Sequence, residues 1–132
     1  MPRVKEEYTP MGERQKMIMH CCWDRGGEIT VPEIMNDLQE KYERVLSKSA
    51  ANTMVNTLIE KGYLELAEKR RYAYLYKALI SREDLQKQEF DWLVQTTFRG
   101  DGNALVVGFM QVDADGEEIE KAKEVLRKAF DE

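Results

Sequence analysis

The feature that most constrains this chain is a change of apolar period at Gly62. Up to that point apolar residues recur at helical spacing between sharp start and stop signals, and beyond it they alternate. Thr9-Pro10 sets a capping side chain before a residue with fixed φ, which predicts a helix start. The run from Gln15 to Trp23 contains MIMHCCW and is expected to be buried. Asp24-Arg25-Gly26-Gly27 ends it, because paired glycines reach positive φ at little cost. Thr30-Val31-Pro32-Glu33 is a second start, with Thr30 as cap and Glu33 reaching back in a capping box. Ile34, Leu38 and Tyr42 then share one face. Ser47 opens a third helix, in which Ala51, Val55, Leu58 and Ile59 face inward with Met54 at the edge, and Gly62 closes it. Tyr63-Leu64-Glu65-Leu66 and Tyr72-Ala73-Tyr74-Leu75-Tyr76 are rich in β-formers and flank the charged stretch Glu68-Lys69-Arg70-Arg71. That predicts a two-stranded hairpin with a cationic tip. Three helices followed by such a hairpin are the layout of a winged helix-turn-helix, expected over residues 1–80.

Residues 81–132 are expected to be a helical dimerisation segment, so the fold class is mostly α with a small β-hairpin. Ser81-Arg82-Glu83-Asp84 opens a helix whose apolar face carries Leu85, Trp92 and Leu93. Gly100-Asp101-Gly102 interrupts it, and residues 103–112, NALVVGFMQV, form a short apolar helix that includes Leu105 and Phe109. Asp113 to Gly116 is a polar turn, and Asp115 with Glu118 predicts a capping box for the last helix. Ile119, Ala122, Leu126 and Ala129 form its stripe, flanked by Val125 and Phe130. Helices this short cannot bury three apolar faces alone, and a second copy is the simplest cover.

Several function classes find no support in these residues. No apolar run reaches the ~20 residues that span a bilayer, and MPRVKEEYTP lacks a signal core, so a cytoplasmic protein without direct membrane insertion is expected. Cys21 and Cys22 are adjacent and read as reduced core thiols. His20-Cys21-Cys22 is a poor metal site, because neighbouring helical residues point about 100° apart. No nucleophile–base pair and no glycine-rich phosphate loop is visible, so neither an enzyme nor a bound cofactor is expected.

The net charge of −5 argues against a polyanionic partner, but it is unevenly spread. Residues 1–80 carry 13 Lys/Arg against 12 Asp/Glu, whereas residues 81–132 carry 7 against 13. A near-neutral first part can present a local basic face, and the local field steers a phosphate backbone. The outward face of the third helix holds Lys48, Ser49, Asn52, Thr53 and Asn56. Asn pairs with an adenine edge, while Ser and Thr bond bases or phosphates. Lys69, Arg70 and Arg71 at the hairpin tip are placed to meet phosphates. Taken singly, the first set is also what a solvated helix face looks like, and the second is what blocks edge-strand pairing. Together and in this order they point to double-stranded DNA. Tyr72, Tyr74 and Tyr76 are expected to pack the wing onto the body, with a phosphate bond from a Tyr hydroxyl as the alternative. A winged-helix adaptor that binds protein instead of DNA is the alternative, favoured by the acidic balance.

The chain resembles the penicillinase-repressor family (BlaI/MecI/CopY) from about Thr9 to Phe130. The best-matched stretches are Trp23, Thr53-Met54 through Leu58-Ile59-Glu60-Lys61-Gly62, Arg71 to Tyr76 and Ser81-Arg82-Glu83-Asp84. Asn103-Ala104-Leu105-Val106-Val107 and Gly116-Glu117-Glu118-Ile119 complete the match. The resemblance implies a repressor that binds a two-fold operator as a homodimer interlocked by its C-terminal helices. In the antibiotic-responsive branch a membrane sensor triggers cleavage at an Asn-Phe bond, and the matching pair here is Gly108-Phe109. Copper-responsive members carry cysteines near the C-terminus, and this chain has none after Cys22. Ser49-Ala50 stands where the family commonly has Lys-Thr, and Thr57 replaces an Arg before the Leu-Ile pair.

Overall fold

The computed structural model describes residues 10–112 and 116–130. They form two compact units that divide after Glu89, and each is described by itself.

The first unit starts with α1 (Glu13–Asp24), β1 (Glu28–Thr30) and α2 (Val31–Tyr42). It continues with α3 (Lys48–Glu60), β2 (Leu64–Lys69) and β3 (Tyr74–Ala78). Thr9 lies outside the described residues, and α1 begins later than Pro10, at Glu13. There Gln15 Oε1 accepts the Gly12 N–H at 3.3 Å. The other two starts are where the sequence puts them. Thr30 N–H donates to Glu33 Oε1 at 2.9 Å while Thr30 Oγ1 accepts from Glu33 N–H at 3.4 Å, and Ser47 Oγ accepts from Ala50 N–H at 3.1 Å. These bonds satisfy donors that the first turn of a helix otherwise leaves open. Gly26, Gly27 and Gly62 have φ of 86°, 99° and 85°, which is why the chain turns at these points.

The sheet has three strands, not the two expected. Its order is β1-β3-β2, antiparallel throughout, with Ile29 opposite Tyr76 and Thr30 opposite Leu75. Glu28–Thr30 is too short to show a period, and it becomes a strand because β3 supplies its hydrogen-bond partners. Three helices, this sheet and the β2–β3 wing make a winged helix-turn-helix.

The helices close over one core. Ile18, Met19, Cys21, Cys22, Ile29, Ile34, Val55 and Leu58 are all fully buried. Leu85 belongs to the same core at 4% exposure. This corrects its assignment to a subunit interface, since its side chain is already covered within its own chain.

Charged ties hold the helices to one another. Arg25, just past α1, donates from Nε and Nη2 to Asp37 of α2 at 2.7 and 2.9 Å, and from Nη1 to Glu33 at 2.9 Å. Asp37 is buried, so this bidentate pair satisfies a carboxylate that would otherwise be costly to keep there. The second tie fixes α4 (Arg82–Thr96), which begins in the first unit. Arg82 lies over the Trp23 ring at 5.5 Å and donates to Asp24 Oδ1 at 2.7 Å, while Trp23 Nε1 donates to the Ile80 carbonyl at 2.9 Å. The capping expected of Ser81 is present, with its Oγ accepting from Asp84 N–H at 3.0 Å.

The second unit, from Phe90, holds the end of α4, α5 (Gly102–Met110) and α6 (Glu117–Phe130). Asp101 caps α5, accepting from Ala104 N–H at 3.1 Å. Asp115, expected to cap α6, lies outside the described residues. No apolar residue described in this unit is buried, and Phe90, Val107 and Val125 are 56%, 54% and 66% exposed. Among the described residues its one buried side chain is Lys123, whose Nζ donates to the Val112 carbonyl at 2.6 Å and so holds α6 to the end of α5.

The Arg25 pair sets a pH dependence. Hydrogen bonds from Arg25 hold the Asp37 carboxyl below its ordinary value, as bonds from Arg82 do for Asp24. A depressed folded pKa contributes stability that is complete above the unfolded value, about 3.9, and is lost as pH falls through the folded one. Arg25→Met is expected to lower Tm at pH 7, with the gap to wild type narrowing below about pH 4 as Asp37 gains a proton. Thermal melts of both proteins between about pH 7 and pH 3 test this. A gap that stays constant with pH would rule it out.

Candidate nucleic-acid interface

The side chains that α3 turns outward follow from the ones it turns in. With Ala51, Val55 and Leu58 buried, Lys48, Ser49, Thr53 and Asn56 are exposed and Asn52 is half-buried. Thr53 Oγ1 donates to the Ser49 carbonyl at 3.0 Å, and Thr57 Oγ1 to the Thr53 carbonyl at 3.1 Å. Both hydroxyl protons are therefore used within the helix, and Thr53 offers outward its methyl and its lone pairs. Asn52 and Asn56 are one helical turn apart on the same face, which suits them to neighbouring bases.

The wing is shaped by a bulge at Ala67. Leu66 opposes Tyr76, but Glu68 opposes Leu75 and Lys69 opposes Tyr74. Directly opposed residues share a face of the sheet, so the extra residue rephases β2. Lys69 lands on the face of Tyr74 and Tyr76, with its Nζ 5.9 Å from the Tyr74 ring centre, and Glu68 is turned to the other face. Lys69 thus ends a strand, and the tip proper is Arg70, Arg71, Tyr72 and Ala73. Arg71 lies 5.3 Å from the Tyr72 ring centre, and Arg70 Nε donates to Glu68 Oε1 at 2.7 Å.

Between α3 and the wing runs a groove of 350 Å³. Lys48, Asn52, Asn56, Arg70 and Arg71 line it, so five of the eight expected contact residues meet around one space. Ser49 and Thr53 stay on the exposed face of α3, and Lys69 stays on the strand. Tyr72, Tyr74 and Tyr76 all line the groove; the first two are 85% and 46% exposed, whereas Tyr76 also joins the core. The first two therefore do not pack the wing onto the body. Their period-two spacing in the sequence did mark a shared face, but a strand that projects from the body leaves that face open.

The family model for the penicillinase repressor matches residues 11–128. The chain belongs to that family. On a winged-helix fold, this makes it a DNA-binding transcriptional regulator. Among solved structures, H. salinarum RosR in its complex hsRosR-S4 is 17% identical, with a TM-score of 0.53 over 96% of this chain and 95% of that one. The complex hsRosR-SG is 17% identical, with a TM-score of 0.51 over 90% and 91%. At these identities the likeness is one of fold. The DNA-binding domain of the repressor BlaI is 21% identical over 64% of this chain and 93% of that one, with a TM-score of 0.47. No curated protein matches the chain.

In this repressor-family chain the second unit carries the other expected set. Trp92, Leu93, Leu105, Phe109, Ile119 and Leu126 are half-buried and Ala122 is exposed, while the side chain of Phe130 lies outside the described part. An apolar groove of 490 Å³ opens between α5 and α6, lined by Val106, Val107, Met110 and Leu126. Gly108 and Phe109 both lie inside α5. Among the described residues, no helix is long and apolar enough to cross a membrane and no cluster of metal ligands is present.

Cys21 and Cys22 sit in the core, where burial pushes both thiols up to about 11. A thiol with that pKa is almost wholly protonated at neutral pH and is a poor nucleophile. Alkylation of the folded protein at pH 8 should therefore be slow at both positions and become fast in denaturant. Rapid labelling of the native protein would contradict this. Deleting Ala67 should remove the bulge but keep Glu68 opposite Leu75 and Lys69 opposite Tyr74, so DNA binding and the helical CD signal should both be kept. A large loss of affinity in a folded variant would disprove the rephasing argument.

Proposed function

We propose that this protein represses transcription as a homodimer on a two-fold DNA operator. In this reading α3 enters the major groove, Asn52 and Asn56 read base edges, and Lys48 with the wing cations grips phosphates. The observation that carries it is the groove where amide and cationic side chains from two separate elements converge. Polar recognition and phosphate grip are the two components of a specific duplex interface. Homodimerisation is favoured by the second unit, whose exposed Phe90, Val107 and Val125 need a cover. Ser49, Thr53 and Lys69 serve as flanking contacts, and the half-buried set from Trp92 to Leu126 serves the subunit interface.

Release by a sensor-linked protease at Gly108-Phe109, the route in the antibiotic-responsive branch, would need α5 to unwind locally. Proteases act most readily on exposed, irregular backbone. An inducer that acts without cutting this bond fits the helix better.

Binding to the DNA upstream of the protein's own gene, measured across a salt series alongside native mass, tests the proposal. A dimer mass, a steep salt slope and selectivity over random duplex are expected. Dimers that bind no duplex at low salt would instead favour a protein-binding adaptor. Arg71→Ala should weaken binding to all sequences alike and reduce the salt slope by about one. Asn52→Ala should cost about 1–3 kcal/mol of discrimination at one base position. If either substitution leaves binding untouched, that contact is misassigned.

A further inference from the structure

The wing carries three cations in sequence, but they are not equivalent. Lys69 and Arg71 lie against Tyr74 and Tyr72, and neither has a carboxylate partner among the described residues. Arg70 does, in Glu68 at 2.7 Å. Glu68 and Arg70 are two residues apart and so share a side of the chain, and the bulge at Ala67 turns Glu68 away from the Tyr74 face. Arg70 nevertheless lines the groove, so a masked cation stands where a phosphate would sit.

We infer that Glu68 sets the specificity of this regulator, by masking Arg70 and so lowering its affinity for DNA of any sequence. The inference rests on the DNA-binding reading above. Non-specific affinity comes from phosphate contacts, each adding about 0.9 to the salt slope, whereas base-edge contacts add discrimination. A genome offers a vast excess of non-specific sites, so a repressor gains occupancy of its operator by lowering its grip on all the others. Glu68 subtracts one phosphate-binding charge from the wing and leaves Asn52 and Asn56 untouched. Both partners are about half exposed, at 52% and 53%, so the pair is screened by salt and open to exchange.

Glu68→Gln keeps the shape and the acceptor oxygen but removes the charge. The experiment measures full-length wild type, Glu68→Gln, Arg70→Met and the double variant against random duplex and operator DNA across a salt series, with melting temperatures to verify folding. Glu68→Gln is expected to bind random duplex more tightly than wild type at low salt, with the slope steeper by about one. Its advantage should shrink about three- to four-fold between about 50 and about 200 mM salt. The ratio of operator to random affinity should fall, and in the Arg70→Met background the advantage should disappear. An unchanged slope would overturn the inference. So would a gain that persists without Arg70, since Glu68 would then repel phosphate directly. A loss of affinity would overturn it too, by showing that Glu68 holds Arg70 in the pose that phosphate needs. Absence of duplex binding by wild type would sink the DNA-binding reading itself, and this inference with it, which distinguishes the two failures.

Discussion

Three residues of backbone decide where the wing stands. Glu28–Thr30 pairs with β3, and the Ala78 N–H donates to the Gly27 carbonyl at 2.9 Å just beyond. Thr30 has two tasks, ending this strand and capping α2. The pairing therefore ties the direction of the wing to the start of the helix that packs on α3. An isolated two-stranded hairpin is marginal in water, and the third strand is what makes this one a fixed arm. The 350 Å³ groove exists because both of its walls are referred to the same short strand.

The helix starts at Thr30 and Ser47 could be read directly, because a cap is a local device whose residues lie within four positions of one another. The core face of α3 was equally plain, since Ala51, Val55 and Leu58 repeat with the helical period. What could not be read depends on partners distant in the chain. β1 is a strand only by virtue of residues nearly fifty positions later. Leu85 looks like any apolar residue on an amphipathic helix, and only the Trp23–Arg82 contact brings it into the first core. The bulge at Ala67 carries no glycine and no broken alternation that would announce it, yet it decides which of Glu68 and Lys69 faces the tyrosines.

Charge in this protein is arranged by position more than by total. Arg25, Arg82 and Lys41 are held by carboxylates of the helical body, so much of the positive charge of the first unit is spent internally. Of the cations that line the groove, Lys48 and Arg71 have no carboxylate partner among the described residues and Arg70 is paired with Glu68, while the side chains of Asn52 and Asn56 make no hydrogen bond there. A net charge of −5 is compatible with a local site for a polyanion when the body neutralises its own cations and the site leaves two of its three without a carboxylate partner among the described residues.

The lack of any buried apolar residue in the described part of the second unit has a thermodynamic consequence. Helices that only half-bury their own apolar residues draw part of their stability from whatever covers the rest, and that contribution follows mass action. Cover by a second copy would make the order of α5 and α6 a property of protein concentration as well as of sequence. A cell could then disarm such a protein by dilution alone, as synthesis slows and the chains part.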